Sequence, residues 1–142
     1  MRISAKGRYT LASAIEIARY WDSDINISSL KISASLGISK IFLDQCLASL
    51  KNAGILVTTK GQNGGYRLSR SPKNITSWDI LSVIETALQE NHDSTCTDQS
   101  IELAINSVFS DLDYAIRSTL IDITLDDLLK TASNKDYFML YM

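Results

Sequence analysis

The sequence predicts a mainly α-helical fold with one small β-hairpin: a winged helix-turn-helix domain followed by a long dimerisation helix. Three observations predict this fold. Two helical segments are joined by a short turn that contains Gly37. A glycine-rich hairpin follows the second segment, and a wide apolar stripe runs through residues 101–119. Two helices joined by a short turn form a helix-turn-helix, and a hairpin directly behind them is the wing.

Three helices are expected before the hairpin. Apolar side chains recur at helical spacing in residues 8–20, which predicts the first helix. Ser29 is expected to cap a second helix that ends at Gly37. Ser39 is the expected N-cap of the third, the recognition helix. The core face of this helix is predicted to hold Leu43, Cys46, Leu47 and Leu50, and its outer side Lys40, Ile41, Asp44, Gln45 and Ala48.

The predicted hairpin is cationic. The third helix stops at Gly54, an apolar strand covers residues 55–59, and a second strand covers residues 66–68. A tight hairpin needs positive φ angles, which the tip supplies with Gly61, Gly64 and Gly65. Charged and amide side chains accompany these glycines: Lys60, Gln62, Asn63 and Arg67.

A fourth helix and a polar loop are expected after the hairpin. Thr76 opens the helix, with Asp79 three residues later in a capping-box position. The polar segment 89–99 lacks helical periodicity and is expected to form a loop that contains His92 and Cys96.

The longest predicted helix carries an apolar stripe. From Ile101 to Thr119 the apolar positions step by four and three, as in a coiled-coil seam. Such a wide stripe on a small protein predicts dimerisation through Ile101, Ile105, Val108, Leu112 and Ile116. Periodicity leaves open that this helix packs inside one chain. Thr124 is then expected to cap a last helix, and the apolar run 137–142 to dock on the body or on a partner subunit.

Charge separates the chain into two regions. Residues 1–73 carry eleven lysines and arginines against four acidic residues, a balance of +7, and residues 74–142 carry three against twelve, a balance of −9. A basic half beside an acidic half is typical of a nucleic-acid binder. We therefore expect a DNA-binding region over residues 1–73 and a helical dimerisation and effector region over residues 74–142, including loop 89–99.

Composition argues against several classes of protein. Hydrophobic residues make up 45% of the 142 residues, too many for a disordered chain. No apolar run approaches the ~20 residues that cross a bilayer, and no signal-peptide core is visible, so a cytoplasmic protein without membrane contact is expected. Two cysteines do not make a disulfide framework. With one histidine, no catalytic triad and no phosphate-binding loop, an enzyme is not expected.

Six stretches form a specific pattern when they are taken in order. They are residues 1–9 (MRISAKGRY), 38–45 (ISKIFLDQ), 50–57 (LKNAGILV), 60–68 (KGQNGGYRL), 75–80 (ITSWDI) and 123–128 (ITLDDL). In this order the chain resembles the Rrf-two family of bacterial winged-helix transcription regulators. The apolar run 137–142 is most similar to the cysteine-metabolism repressor branch of that family.

The resemblance implies where DNA would bind. The start of the third helix would lie in the major groove and the wing at the neighbouring minor groove. Asp44 and Gln45 match an acidic–Gln pair of the family, and their chemistry fits base reading. An aspartate can accept a hydrogen bond from cytosine N4, and a glutamine can pair with adenine N6 and N7. Lys6 and Arg8 suit phosphate contacts. The other residues expected at the DNA are Ser39, Lys40, Phe42, Lys60, Gln62, Asn63 and Arg67.

Three positions depart from the family pattern. Asp44 stands where the family usually has the longer glutamate, Lys60 where it has arginine and Phe42 where it has tyrosine. These replacements affect which bases are read rather than whether DNA is bound. Without the resemblance, Asp44 is interpreted as an ordinary solvated helix charge.

No metal or cofactor is expected. Cluster-binding members of the family carry three cysteines before the long helix, whereas this chain has one, Cys96, with His92 four residues earlier. Cys46 belongs to the recognition helix, and a [2Fe–2S] cluster takes four ligands. Two alternatives stay open for Cys96: cluster ligation across two subunits with His92 and a carboxylate, and redox sensing by an exposed thiol.

The combined prediction is a dimeric transcription regulator that binds a pseudo-palindromic operator in double-stranded DNA, with repression favoured over activation. The alternative is a winged-helix module that acts through a partner protein. Resemblance to the cysteine-metabolism branch suggests a cysteine-synthesis enzyme as such a co-regulator. The sequence leaves open the target genes, the inducing signal and the choice between repression and activation.

Overall fold

The structure, a computed structural model, describes residues 3–88 and 93–134. These residues form six α-helices and one two-stranded antiparallel sheet. Two short 3-10 turns, Pro72–Asn74 and Thr86–Leu88, flank the fourth helix. The elements are α1 (Ala5–Ala18), α2 (Ser29–Leu36), α3 (Lys40–Asn52), β1 (Leu56–Thr59), β2 (Gly65–Leu68), α4 (Ser77–Ile84), α5 (Gln99–Asp122) and α6 (Leu125–Ser133). The predicted winged helix-turn-helix class is confirmed. His92 and the run 137–142 lie outside the described residues.

The turn between α2 and α3 has the predicted glycine but a different cap. Gly37 ends α2 with a φ of +67°, the left-handed conformation that favours glycine. The N-cap of α2 is Ser28 rather than the predicted Ser29, because Ser28 Oγ accepts a hydrogen bond of 3.1 Å from the N–H of Lys31. Ser39 occupies the N-cap position of α3 as predicted, but its side chain makes no capping hydrogen bond.

The hairpin is anchored to the segment before α2. Ile27 and Tyr66 exchange two backbone hydrogen bonds, of 2.9 and 2.8 Å, so Ile27 adds a single residue to the edge of the sheet. Gly61 and Gly65 have the predicted positive φ angles, +108° and +146°. The prediction was wrong for Gly64, which is a glycine for another reason: a Cβ there would meet the carbonyl oxygen of Thr59.

One hydrophobic core joins the helix-turn-helix to α4 and α6. The predicted core face of α3 is confirmed, since Leu43, Cys46, Leu47 and Leu50 are fully buried. Ile17 of α1, Ile80 of α4 and Leu125 of α6 belong to the same core cluster. The inner face of α3 is thus fixed by packing, and its outer face is left for solvent or a ligand.

The start of α4 and the start of α6 are paired by their backbones. The N–H of Ser77 donates to Ile123 O over 2.8 Å, and the N–H of Leu125 donates to Ile75 O over 2.8 Å. Each helix begins with a capping box, the predicted one of Thr76 with Asp79 and a second one in which the predicted cap Thr124 is joined by Asp127. The boundary at residue 73 concerns function and stays a prediction.

The long helix α5 lies outside this core. None of its 24 residues is buried. Several of its large apolar side chains are at least half exposed: Ile101, Leu103, Val108, Leu112 and Tyr114. Within one chain, α5 is therefore not the core helix that periodicity left open. No helix among the described residues is long and apolar enough to span a membrane.

Candidate nucleic-acid interface

The outer face of α3 presents a polar surface at its first two turns. Ser39, Lys40 and Gln45 are exposed, and Asp44 is half-buried. Lys40 Nζ lies 3.0 Å from Asp44 Oδ2, one helical turn away. Both side chains are about half exposed, so this pair contributes only about 0.3–0.5 kcal/mol to stability and is readily exchanged for other partners. The two groups are available to a ligand at low cost.

Phe42 packs within the protein. Its ring meets Tyr9 of α1 edge to face, with ring centroids 5.2 Å apart and an angle of 88° between the planes. The family resemblance implies that Phe42 lies at the DNA. The structure places it half-buried, between α1 and the start of α3. In this position Phe42 orients the beginning of α3, and its predicted contact with DNA stays a prediction.

Lys60, Gln62 and Asn63 are exposed at the tip of the hairpin. The tip is held by Asn26, whose Nδ2 donates a hydrogen bond of 3.2 Å to the carbonyl oxygen of Asn63. No local pattern in the sequence predicts this contact, because Asn26 lies 37 residues before Asn63 along the chain. The wing is thus tied to the segment that leads into α2.

Arg67 differs from Lys60 in its surroundings. On β2, opposite Val57, it forms an ion pair with Asp24 in the loop after α1. Asp24 is the one described non-glycine residue with a positive φ, +54°. Because the Arg67 guanidinium already has a carboxylate partner, its predicted DNA contact requires exchange of that pair. Lys60 has the more exposed charge.

The start of α1 brings Lys6 and Arg8 beside the helix-turn-helix. Arg8 is exposed and borders a shallow groove with Leu36 and Ile38, which flank the turn between α2 and α3. Lys6 is half-buried, and its carbonyl oxygen lies 4.0 Å from Cys46 Sγ of α3. The backbone of Lys6 and the side chain of Arg8 therefore lie beside the helix-turn-helix.

Glu85, at the end of α4, holds the start of α1. Its Oε1 accepts hydrogen bonds of 2.9 Å from the N–H and 2.6 Å from the Oγ of Ser4, the N-cap of α1. Gly7 packs against the same carboxylate, where a Cβ would collide with Glu85 and Ile3. The sequence gives no local signal for this contact, since 81 residues separate Ser4 from Glu85.

Cys96 lies beside a carboxylate. Its Sγ is 3.5 Å from Glu102 Oε2 and 3.6 Å from the carbonyl oxygen of Asp98. Glu102 also accepts hydrogen bonds from the N–H groups of Thr95 and Cys96, and the Thr95 bond is the main cause that lowers the pKa of Glu102. A nearby cation activates a thiol, and these contacts supply an anion. Redox sensing by Cys96 stays a prediction.

The chain matches the sequence model of the Rrf2 (Rrf-two) family, described as an iron-dependent transcriptional regulator, over residues 3–131. It is 31% identical over 144 residues to the transcriptional regulator CymR of Bacillus subtilis, with 100% of both chains covered. It is 26% identical over 132 residues to the regulator IscR of Vibrio atlanticus, covering 92% of this chain and 76% of that one.

The fold matches a solved structure of the same kind. The structure of CymR, the global cysteine regulator of B. subtilis, superposes with a TM-score of 0.79 at 31% sequence identity. The match covers 92% of this chain and 97% of CymR. The similarity thus extends beyond the helix-turn-helix to the helices behind it.

An iron-sulfur cluster does not fit the donors described in one chain. Cys46 is buried in the core, which leaves the Cys96 thiol beside the Glu102 carboxylate. A cluster takes four ligands, most of them cysteines. Within residues 3–88 and 93–134, no group of three or more His, Cys, Asp or Glu side chains is placed to hold a metal ion.

The fold has the predicted helix-turn-helix and wing, with Lys40 and Gln45 exposed on α3 and Lys60 exposed at the tip of the wing. The family match covers nearly the whole chain, and the CymR structure matches in sequence and in fold. The chain belongs to the Rrf2 family of DNA-binding transcription regulators.

Proposed function

We propose that two copies of this chain bind a pseudo-palindromic operator and repress transcription. The observation that carries the proposal is the two-sided character of α3. Its inner residues Leu43, Leu47 and Leu50 are fully buried, while Lys40 and Gln45 on its outer side are exposed next to a cationic wing. A helix held this rigidly, with polar groups outward, suits the major groove.

Base reading is assigned to the outer face of α3. Gln45 can make a bidentate pair with adenine N6 and N7, and Asp44 can accept from cytosine N4 once it leaves Lys40. The exposed cations Arg8 and Lys60 are assigned to phosphates on either side of the groove, together with Lys6. These contacts position the protein without reading sequence.

Dimerisation is assigned to α5. Its seam of Ile101, Val108 and Leu112 is 50–65% exposed in one chain, which is costly for apolar side chains in water. Pairing of two α5 helices would cover this seam and relate the two wings by a two-fold axis. Half-sites would then lie one or more helical turns apart on the DNA.

The similarity to CymR supports a class of target genes. That relative is called a global cysteine regulator, and it matches this chain over its whole length. We therefore assign sulfur and cysteine metabolism to the regulated genes.

Selection of genomic DNA fragments by the purified protein, followed by sequencing, tests the proposal. A recurring pseudo-palindrome upstream of sulfur-metabolism genes is expected, with affinity that falls steeply as salt increases. A pseudo-palindrome beside other genes would keep the regulator and overturn the cysteine assignment. Absence of any enriched sequence, or binding that is insensitive to salt, would contradict the proposal and favour a protein-interaction module.

A further inference from the structure

An exposed isoleucine stands at the start of the recognition helix. Ile41, in the first turn of α3, is 78% exposed, the highest value among the large hydrophobic side chains that the structure describes as exposed. β-branched side chains are also poor helix formers, so local propensity does not favour it there. Neither helix formation nor core packing accounts for isoleucine at this position.

The direction of Ile41 follows from helical geometry. At about 100° per residue, it lies opposite Leu50, which is fully buried in the core. It shares its outward ridge with Asp44 and Gln45, three and four residues later. The apolar side chain therefore lies one turn from the proposed base-reading residues and nearer the N-terminus of α3, the end of a recognition helix that contacts base edges.

In the major groove, one base edge is apolar. Thymine presents a C5-methyl group there, whereas the other three bases present hydrogen-bond donors and acceptors and have no methyl group. The geometry points to Ile41 as a specificity residue that contacts the C5-methyl group of one thymine in each half-site. This inference rests on the proposed DNA-binding function. Gln45 would read a neighbouring base pair on the same ridge.

The contact is tested by removing the methyl group from the DNA and the side chain from the protein. Full-length protein is titrated with the operator recovered by selection, in which each thymine in turn is replaced by deoxyuridine, a base that lacks only that methyl. For the native protein, one position per half-site should weaken binding about fourfold, the effect of one buried methyl or methylene group. The Ile41→Ala protein should bind operators with thymine or uracil at that position equally well. The Ile41→Thr protein, whose side chain keeps one methyl group, should retain part of the preference for thymine.

A matched control comes from a second exposed apolar residue. Leu30 in α2 is 66% exposed, and Leu30→Ala removes a side chain of the same size from another helix. This variant should keep the full preference for thymine. Because Ile41 is exposed and alanine has the higher helix propensity, Ile41→Ala should unfold at the temperature of the native protein or slightly above it.

Two results would overturn the assignment. One is a native protein that does not distinguish thymine from uracil at any position. The other is an Ile41→Ala variant that retains the native preference. Salt-dependent binding to the operator in either case would leave the proposed function intact, whereas loss of all DNA binding by the native protein would refute both.

Discussion

At the scale of single residues, the proposed interface contains two kinds of exposed polar side chain. Lys60 carries a point charge at the tip of the wing, and Gln45 carries an amide on the outer face of α3. A lysine attracts any phosphate, since every nucleotide has one, whereas an amide matches the two hydrogen-bonding groups of adenine. Truncation of these two side chains to alanine should therefore affect DNA binding in different ways.

Lys60→Ala should weaken binding to all sequences alike and lower the slope of log affinity against log salt by about two, one for each subunit. Gln45→Ala should cost about 1–3 kcal/mol on the operator and relax the preference at one base pair per half-site. Fluorescence anisotropy on the operator and on a scrambled duplex, over a range of salt concentrations, measures both. Equal losses on both duplexes for Gln45→Ala would contradict its assignment.

At the scale of secondary-structure elements, helix caps account for several boundaries. Two serines occupy N-cap positions near the helix-turn-helix, Ser28 before α2 and Ser39 before α3. The Ser28 side chain accepts a hydrogen bond and that of Ser39 does not, although both residues are serines at an N-cap position. Comparing the two serines therefore measures how much of a cap's stabilisation comes from the side-chain hydrogen bond.

Ser28→Ala should lower the free energy of unfolding by about 1 kcal/mol, because an N–H of the first turn loses its acceptor. Ser39→Ala, the matched control, should change it by less than about half that amount. Urea denaturation followed by circular dichroism measures both. A larger loss for Ser39→Ala than for Ser28→Ala would show that the capping hydrogen bonds are assigned to the wrong serine.

The cap of α6 makes stability depend on pH. The N–H of Thr124 donates to Asp127 over 3.0 Å, and this bond is the main cause that lowers the pKa of Asp127 from its ordinary value of 3.8. Because the folded-state pKa is depressed, the stabilisation is fully present above pH 3.8 and is lost as pH falls through the lower, folded-state value. Asp98, the N-cap of α5, has a pKa lowered mainly by Ser100 and acts in the same direction.

Asp127→Asn should therefore be less stable than the native protein at pH 7, and the difference should shrink as pH falls below the ordinary aspartate pKa. Thermal unfolding at a series of pH values measures it. Asp113→Asn, at an exposed position in the middle of α5, removes one carboxylate that caps no helix and serves as the control. A difference that grows towards acid pH would contradict the capping role.

At the scale of the whole molecule, α5 is the one α-helix among the described residues that has no buried side chain. It contributes no buried residue to the core that α1, α3, α4 and α6 share. Arg117 lies over the ring of Trp78 on α4, 5.2 Å from its centroid, so α5 is attached to the body near its C-terminal end. The apolar seam nearer its N-terminus is exposed in the described part of the chain, and the proposed second copy would cover it.

Leu112→Asp places a charge in this seam, where burial without a partner costs several kcal/mol. The dimer should weaken on the order of 100-fold or more, and operator affinity should fall with it. Analytical ultracentrifugation measures the association. Ser110→Asp adds the same charge on the opposite side of α5 and should leave the dimer intact. Equal effects of the two substitutions would contradict the seam.

The sequence by itself determined the parts of this protein that depend on neighbouring residues. The buried face of α3 follows from the spacing of Leu43, Leu47 and Leu50, and the end of α2 from the freedom of Gly37 to adopt a positive φ. The family pattern is local in the same sense, because each of its stretches spans fewer than ten residues.

Only the tertiary structure decided which distant groups meet. It pairs Arg67 with Asp24, seats Phe42 on Tyr9 and brings Glu85 to the start of α1. It also showed that Gly64 is required by a close carbonyl rather than by its φ angle. The three contacts join residues that are 33 to 81 positions apart, and the turn at Gly64 is too tight for a side chain. No periodicity or propensity along the chain encodes either feature.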